Sequence, residues 1–596
     1  MKRTILSALL AFSMIFGLMS CSAKEADQPV DSEKTSATEK GESVAGDESK
    51  SEEGGESSVS SGNEESSSDE DPSFARFPEP VVVHIGMEVD PTGEMAPGDT
   101  YEDNMMIRYH KDKFNIEFVV DWTAATGSDY NQKVNLAIAS GSIPDGLVVN
   151  NRNYMLKAAQ ADLLYDITDL WAEYSSEKVQ GLINSSGGRA IKNGSYNGRL
   201  YSIPSNNVDT DGISVMFIRK DWFDELELEV PETVSEIGEV ARAFVENKMA
   251  GEDTIGIVGA DKNAVLYCDF LNSSNAFGGF DPIFQALDAY PGYWLDNGDG
   301  TVTYGSTTEN TKKGLEILAG WYEEGLIDPQ MGTRNANGDP IVAGQTGIFF
   351  GPWWCVGYGI GDAYKNDPTA NWQAYPVYTD EGQFYSHMMT TGSQYTIINK
   401  NASEDVAKAI IITHNALARD TIEDWGEYYN PDYTTPTPLY NHVAPTDEVI
   451  YEYTELTNLL QGNTKLEDYD PNDSVYKWFY TDAETLDIIS PPYDFLNITN
   501  FDMSGTNGPI FNRLYSILVG ARPAATVPLD KAVYSVTYDM TETMETRWAN
   551  LEKLEDETML KIILGKADPD TFDQFVNDWK AQGGDKILEE VQDLLE

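Results

Sequence analysis

Within residues 344–357, GQTGIFFGPWWCVG, an apolar strand pattern at 348–350 meets Gly351-Pro352. That pair should break the strand and deliver Trp353 and Trp354 to a loop at its end. Tryptophans so placed suit a stacking site, and wedging between packed layers is their other use. Nucleophilic and metal chemistry is less well supplied. The five histidines, His84, His110, His387, His414 and His442, show no H-E-x-x-H or similar ligand spacing, and no G-x-S-x-G elbow or Walker loop is present. Residues 296–300, DNGDG, offer oxygens at alternating positions, but the glycine is out of register for a calcium loop, so a hairpin turn is expected. No catalytic residue, cofactor or metal ligand is expected.

A second chemically distinctive position is Cys21. Lys2 and Arg3 precede an apolar run at 5–18, about fourteen residues long, within the range of a signal-peptide core. Spanning a bilayer takes about twenty apolar residues. Leu18-Met19-Ser20-Cys21 resembles the bacterial lipobox, in which the cysteine is acylated and becomes the mature N-terminus. At about 0.8 kcal/mol per buried CH₂, two or three acyl chains hold a protein stably on a membrane. Residues 24–72 then carry sixteen Asp or Glu, four Lys, twelve Ser and no aromatic residue, a net charge of −12. Such a segment buries too little apolar surface to offset its backbone entropy and repels itself into an extended stalk. The expectation is a signal peptide over 1–20 and a lipid-anchored acidic stalk over 21–77.

The whole chain has a formal net charge of −59. Excluding the tract and the two leader cations leaves −49, which argues against nucleic acid as a partner. Roughly 520 residues remain for two or more domains with well-buried cores. Cys268 and Cys355 could pair, although nothing in their spacing requires it.

The elements that must position these residues alternate. VVVHI at 81–85 reads as a buried strand, 101–113 as a helix and NIEFVV at 115–120 as a strand. A helical face at Val134, Ala137 and Ile138 precedes a third strand, GLVV, at 146–149. This βαβαβ order implies a parallel sheet with right-handed crossovers and ligands beyond the carboxyl ends of its strands. The loops 86–94 and 140–146 are therefore candidate ligand loops. A second α/β block follows 197–207: GISVMFIRKDWF at 212–223 runs from strand into helix. Thr233 and Glu236 are spaced as a capping box for a helix whose apolar face is Ile237, Val240, Ala241 and Phe244. Near the C-terminus, Phe572, Phe575, Val576 and Trp579 share one helix face, and Ile587, Leu588, Val591 and Leu594 share the next.

Taken in order, YSIPS, MFIRKDWFDELELEVPETVSEI, WYEEGLIDPQ, GQTGIFFGPWW and IILGKADPDTFDQFVNDWKAQGGDKILEEV resemble extracellular solute-binding protein family 1, the receptors of carbohydrate ABC importers. The resemblance is to its large Gram-positive lipoprotein branch and runs collinearly from about 81 to 591. The Tyr- and Pro-rich region 420–500 departs from the family pattern. The resemblance implies an α/β, two-lobed periplasmic-binding-protein-like fold of type II. Its lobes would be discontinuous, 78–206 plus 390–525 and 207–389 plus 526–596, with crossings near 206–211, 388–391 and 525–529. It implies a tethered extracellular monomer that delivers an oligosaccharide to a membrane permease. In a sugar cleft, aromatic faces cover CH patches while carboxylates and amides pair with vicinal hydroxyls. Trp353 and Trp354 are the first stacking candidates, with Tyr201 and Trp294 after them. Glu88, Asp145, Asn206, Asn207 and Asp211 are the polar candidates. A surface glycoside hydrolase, with two carboxylates flanking a scissile bond, is the rival reading, and a receptor for a non-sugar solute such as a peptide is a third.

Overall fold

The structure, a computed structural model, describes residues 71–595 apart from 264, 274–276, 420–433, 472–474 and 505–506. Cys21, the signal peptide and nearly all of the stalk lie outside the described residues.

Five strands form the first sheet, in the order Ile116–Ala125, Val81–Val89, Gly146–Val149, Tyr395–Ile398, Ser202–Pro204. The first three are mutually parallel, and Tyr395–Ile398 runs antiparallel to both of its neighbours. Val81–Val89 outruns the expected five residues. It continues through a bulge between Ile85 and Gly86, where a Cβ at 86 would stand 2.2 Å from the Trp122 ring, so only glycine lets the two strands approach. The helix between them is Met105–Phe114, with Asn104 accepting from the amides of Met106 and Ile107.

The second sheet is ordered Trp372–Tyr375, Ser214–Arg219, Thr346–Pro352, Ile255–Ile257. Its strands are apolar on both faces, as a covered sheet requires. Met216, Ile218, Ile348 and Phe350 join one core cluster, while Val215, Phe217 and Phe349 join another. The capping box forms: Glu236 N donates to Thr233 Oγ1 at 3.4 Å, and Thr233 N donates to Glu236 Oε2 at 3.0 Å. The helix it starts, Val234–Glu246, buries Ile237, Val240, Ala241 and Phe244 in the first of these clusters, beside Phe572, Phe575, Trp579, Ile587 and Val591 of the C-terminal helices.

One expected boundary is corrected. The described residues of 444–525, expected in the first lobe, pack on the second sheet: Val449, Leu456, Phe479, Phe511, Leu514 and Leu518 share a core with Phe217, Phe349 and Trp372. Its helices have apolar faces that either sheet could cover, and proximity to the Val215–Phe217–Phe349 face decides it. The crossing expected at 525–529 is accordingly found earlier. Leu439 still packs with the first sheet and Ala444 with the second, so the chain crosses between them. It runs beside the crossing that joins Pro204 to Ser214: Asn206 N donates to His442 O at 2.9 Å, and Ala444 N donates to Asn206 O at 3.0 Å. The crossing between His387 and Tyr395 lies on the other side, with Asn207 N donating to Thr391 O at 2.8 Å. Among the described residues, no helix is long and apolar enough to cross a membrane.

Candidate functional site

The registers of the two sheets say which ends lie beside the crossings. Tyr395 pairs with both Val149 and Pro204, so the carboxyl ends of the parallel strands share an edge with the crossings. In the second sheet Pro352 pairs with Ser214, which places the end of Thr346–Pro352 beside the same crossings. A cleft between these two edges is the candidate site.

On the first wall Glu88, near the end of its strand, accepts from Asn150 Nδ2 at 2.8 Å and from Gly127 N at 3.1 Å. Asn150 follows Gly146–Val149 directly, and its Oδ1 is buried with no hydrogen-bond partner. The two side chains are partly exposed and present acceptor and amide together. On the second wall Trp353 Nε1 donates to Asp211 Oδ1 at 3.2 Å. Some of Asp211's surface is open, yet atoms pack densely round its carboxyl. That desolvation, reinforced by Glu448 and opposed by the Trp353 hydrogen bond and by Arg513, pushes its pKa up to about 7. Trp354 is partly exposed, with its ring 6.0 Å from Tyr358, which stacks on Phe277 at 5.1 Å.

Between the walls Arg189 Nη2 reaches both Asp209 oxygens at 2.9 Å, its Nε donates to Thr391 Oγ1 at 3.2 Å, and its guanidinium lies 4.8 Å from the centre of the Tyr534 ring. Burial raises the pKa of Asp209, and Arg189 opposes the rise. Asp539 Oδ1 accepts from Arg152 N at 3.1 Å, joining the chain beyond Tyr534 to the first wall.

The expected site residues divide. Glu88, Asp211, Trp353 and Trp354 stand at or beside the strand ends next to the crossings, and Asn207, 9% exposed, lies on a crossing with its Nδ2 donating to Thr390 O at 3.1 Å. Trp353 is only 5% exposed and belongs to an apolar core, which corrects its placement on an open loop. The strand runs through Gly351-Pro352 instead of breaking there, and Trp353 begins the helical turn Trp353–Tyr358. Asn206 is fully buried, its Nδ2 held by Leu182 O, Ser185 Oγ and Ala444 O at 2.7–3.2 Å, so it ties crossings together. Tyr201 is partly buried against the first lobe, 6.4 Å from Tyr196. Two expectations fail. Asp145 precedes its strand and therefore sits at the end of it away from the crossings, where it accepts from His84 N at 3.0 Å. Trp294 is fully buried among Tyr304, Trp548 and Trp579, as its large ring area favours. Asn150 was missed, although the carboxyl-end rule applied to GLVV points to it. Arg189 and Tyr534 carry no local signal, because distant segments bring them together. Cys268 and Cys355 are separate buried thiols.

Two sheet-based lobes joined by three crossings define a protein of the two-lobed class. The chain belongs to the bacterial extracellular solute-binding protein family, which matches residues 104–450. It is 22% identical over 498 residues to the polygalacturonan/rhamnogalacturonan-binding protein YtcQ of Bacillus subtilis, covering 81% of this chain and 86% of that one. It is 27% identical over 239 residues to Lipoprotein LipO of the same organism, 39% of this chain and 43% of the relative. Among solved structures, the ABC-transporter substrate-binding protein FusA of Streptococcus pneumoniae in complex with kestose superposes with a TM-score of 0.50 at 15% identity. That match covers 86% of this chain and 98% of FusA.

Proposed function

We propose that this chain is a lipid-tethered extracellular receptor that takes an oligosaccharide between its lobes and presents it, unaltered, to the permease of an ABC importer. The observation that carries the reading is the meeting of the two sheet edges. In this reading a carboxylate-amide pair, Glu88 and Asn150, is set opposite an aromatic and carboxylate wall, Trp354 and Asp211, across the crossing segments. Planar polar groups opposite an aromatic face complement a polyhydroxylated ring. The names of YtcQ and of the FusA complex support the sugar class. The name of LipO, with the Cys21 motif, supports the tether. Our working division gives one lobe residues 78–206 plus 390–440 and the other 207–389 plus 444–596, as a monomer.

Calorimetry of the full chain against pectic, fructan, alginate and milk-type oligosaccharides tests this, with chromatography of the recovered sugar. One panel class should bind about one to one with a Kd of about 1 μM or tighter, near −8 kcal/mol, and return intact. Shortened sugar would favour a surface glycoside hydrolase, and silence across the panel with binding of peptides would favour a different solute.

A further inference from the structure

Away from the cleft faces, one buried cluster joins residues far apart in sequence. Cys268, Asp281 and His387 are 5%, 4% and 2% exposed, and each offers a ligand atom within 4.8 Å of the others. Asp281 Oδ1 accepts from Cys268 N at 2.9 Å and lies 3.5 Å from His387 Nδ1. Asp281 Oδ2 is buried with no hydrogen-bond partner. Gln285, 3% exposed, places its side-chain amide against His387 Nδ1, and a half-turn of that amide would present Oε1 in the same place. His387 Nε2 is likewise buried with no hydrogen-bond partner.

We propose that Cys268, Asp281 and His387, completed by the Gln285 amide oxygen, form a zinc site that braces the root of the crossing between His387 and Tyr395. The donor set of thiolate, carboxylate, imidazole and amide oxygen suits zinc, which takes such ligands in a tetrahedron about 2.0–2.3 Å from the metal. Ligand atoms at those radii stand about 3.4 Å apart, close to the 3.5 Å between Asp281 and His387. Charge also balances. When zinc binds, the Cys268 thiol gives its proton to solvent, and one thiolate and one carboxylate neutralise the dication. The position has a consequence for the hinge. Met388 O, next along the chain, accepts from Tyr293 Oη at 3.1 Å and from Tyr538 Oη at 2.6 Å, and Thr390 N donates to Ser273 Oγ at 3.1 Å. A metal here would fix the point from which that crossing leaves its lobe.

The test uses the full chain carrying Cys21→Ser, so that Cys268 and Cys355 are its only thiols. After chelation and dialysis it is titrated with Co²⁺, a coloured stand-in for zinc. A thiolate-to-cobalt charge-transfer absorption should saturate at about one equivalent and be displaced by Zn²⁺. It should disappear in Cys268→Ser and persist in Cys355→Ser. Zn²⁺ should raise the melting temperature of the parent and not that of Cys268→Ser. If Cys268→Ser does not fold, His387→Gln serves instead, with cobalt affinity at least tenfold weaker than the parent's. No charge-transfer absorption in the parent, absorption only at large cobalt excess, or absorption lost with Cys355 and kept without Cys268 would each overturn the proposal.

Discussion

Trp353 and Trp354 are adjacent in sequence and occupy different environments. Trp353 sits in the core with its Nε1 on Asp211, while Trp354 keeps part of its ring open. Trp353→Ala should therefore lower apo stability by about 3–5 kcal/mol. Trp354→Ala should leave apo stability within about 1 kcal/mol of the parent and weaken sugar binding by about 2 kcal/mol, roughly thirtyfold. Unfolding and calorimetry on both variants check the pair, and reversed effects would return the stacking role to Trp353. Asp211 makes a prediction about pH. Its folded pKa is raised from 3.8 to about 7, so between those values the folded state binds more protons than the unfolded chain. Stability must then fall as pH rises through that window. Asp211→Asn keeps an acceptor for Trp353 and removes the titration. It should be more stable than the parent at pH 8, by at most about 4 kcal/mol, with the gain gone near pH 4. A gain independent of pH would contradict the assignment. At this scale the position of Glu88 toward the carboxyl end of the first strand was legible, because it follows from the βαβ pattern. Asp145 was misplaced because the same rule was applied to a loop before a strand, and Trp294 because a tryptophan's residue type alone does not separate a platform from a core.

At the scale of elements, the crossings matter most, and their spacing is set by glycine. A Cβ at Gly392 would stand 2.4 Å from Ser205 O and 2.8 Å from Ser205 Oγ, the hydroxyl that accepts from Ser393 N and Gln394 N at 2.9 Å. Gly392→Ala must push two crossings apart and should cost about 1–3 kcal/mol in urea unfolding. A variant within about 0.5 kcal/mol of the parent would show that the crossings yield freely. Local chemistry made several elements legible: Thr233 with Glu236 wrote a helix start, and the apolar spacing of Phe572, Phe575 and Trp579 wrote a helix face. The attachment of 444–525 was not legible, since an amphipathic helix such as Glu448–Gln461 declares that it has a buried face and not which sheet covers it. The third crossing moved with it.

For the whole molecule we propose a tether, a stalk and a closing cleft. Cys21→Ser should abolish incorporation of a fatty-acid analogue during metabolic labelling in a bacterial host, and undiminished label would remove the anchor. The stalk is proposed from composition alone, because an acid-rich tract with no aromatic residue has little with which to pack. Two-lobed architecture was readable only through resemblance, since each lobe is assembled from separate stretches of chain. Ligand can favour a closed form only by contacting both walls at once, which is the arrangement proposed for Glu88 and Asn150 opposite Trp354. Small-angle scattering of the full chain, with and without the oligosaccharide that calorimetry selects, tests that claim most directly. The radius of gyration should fall on saturation in the parent, and an unchanged radius under saturating sugar would contradict binding between the lobes.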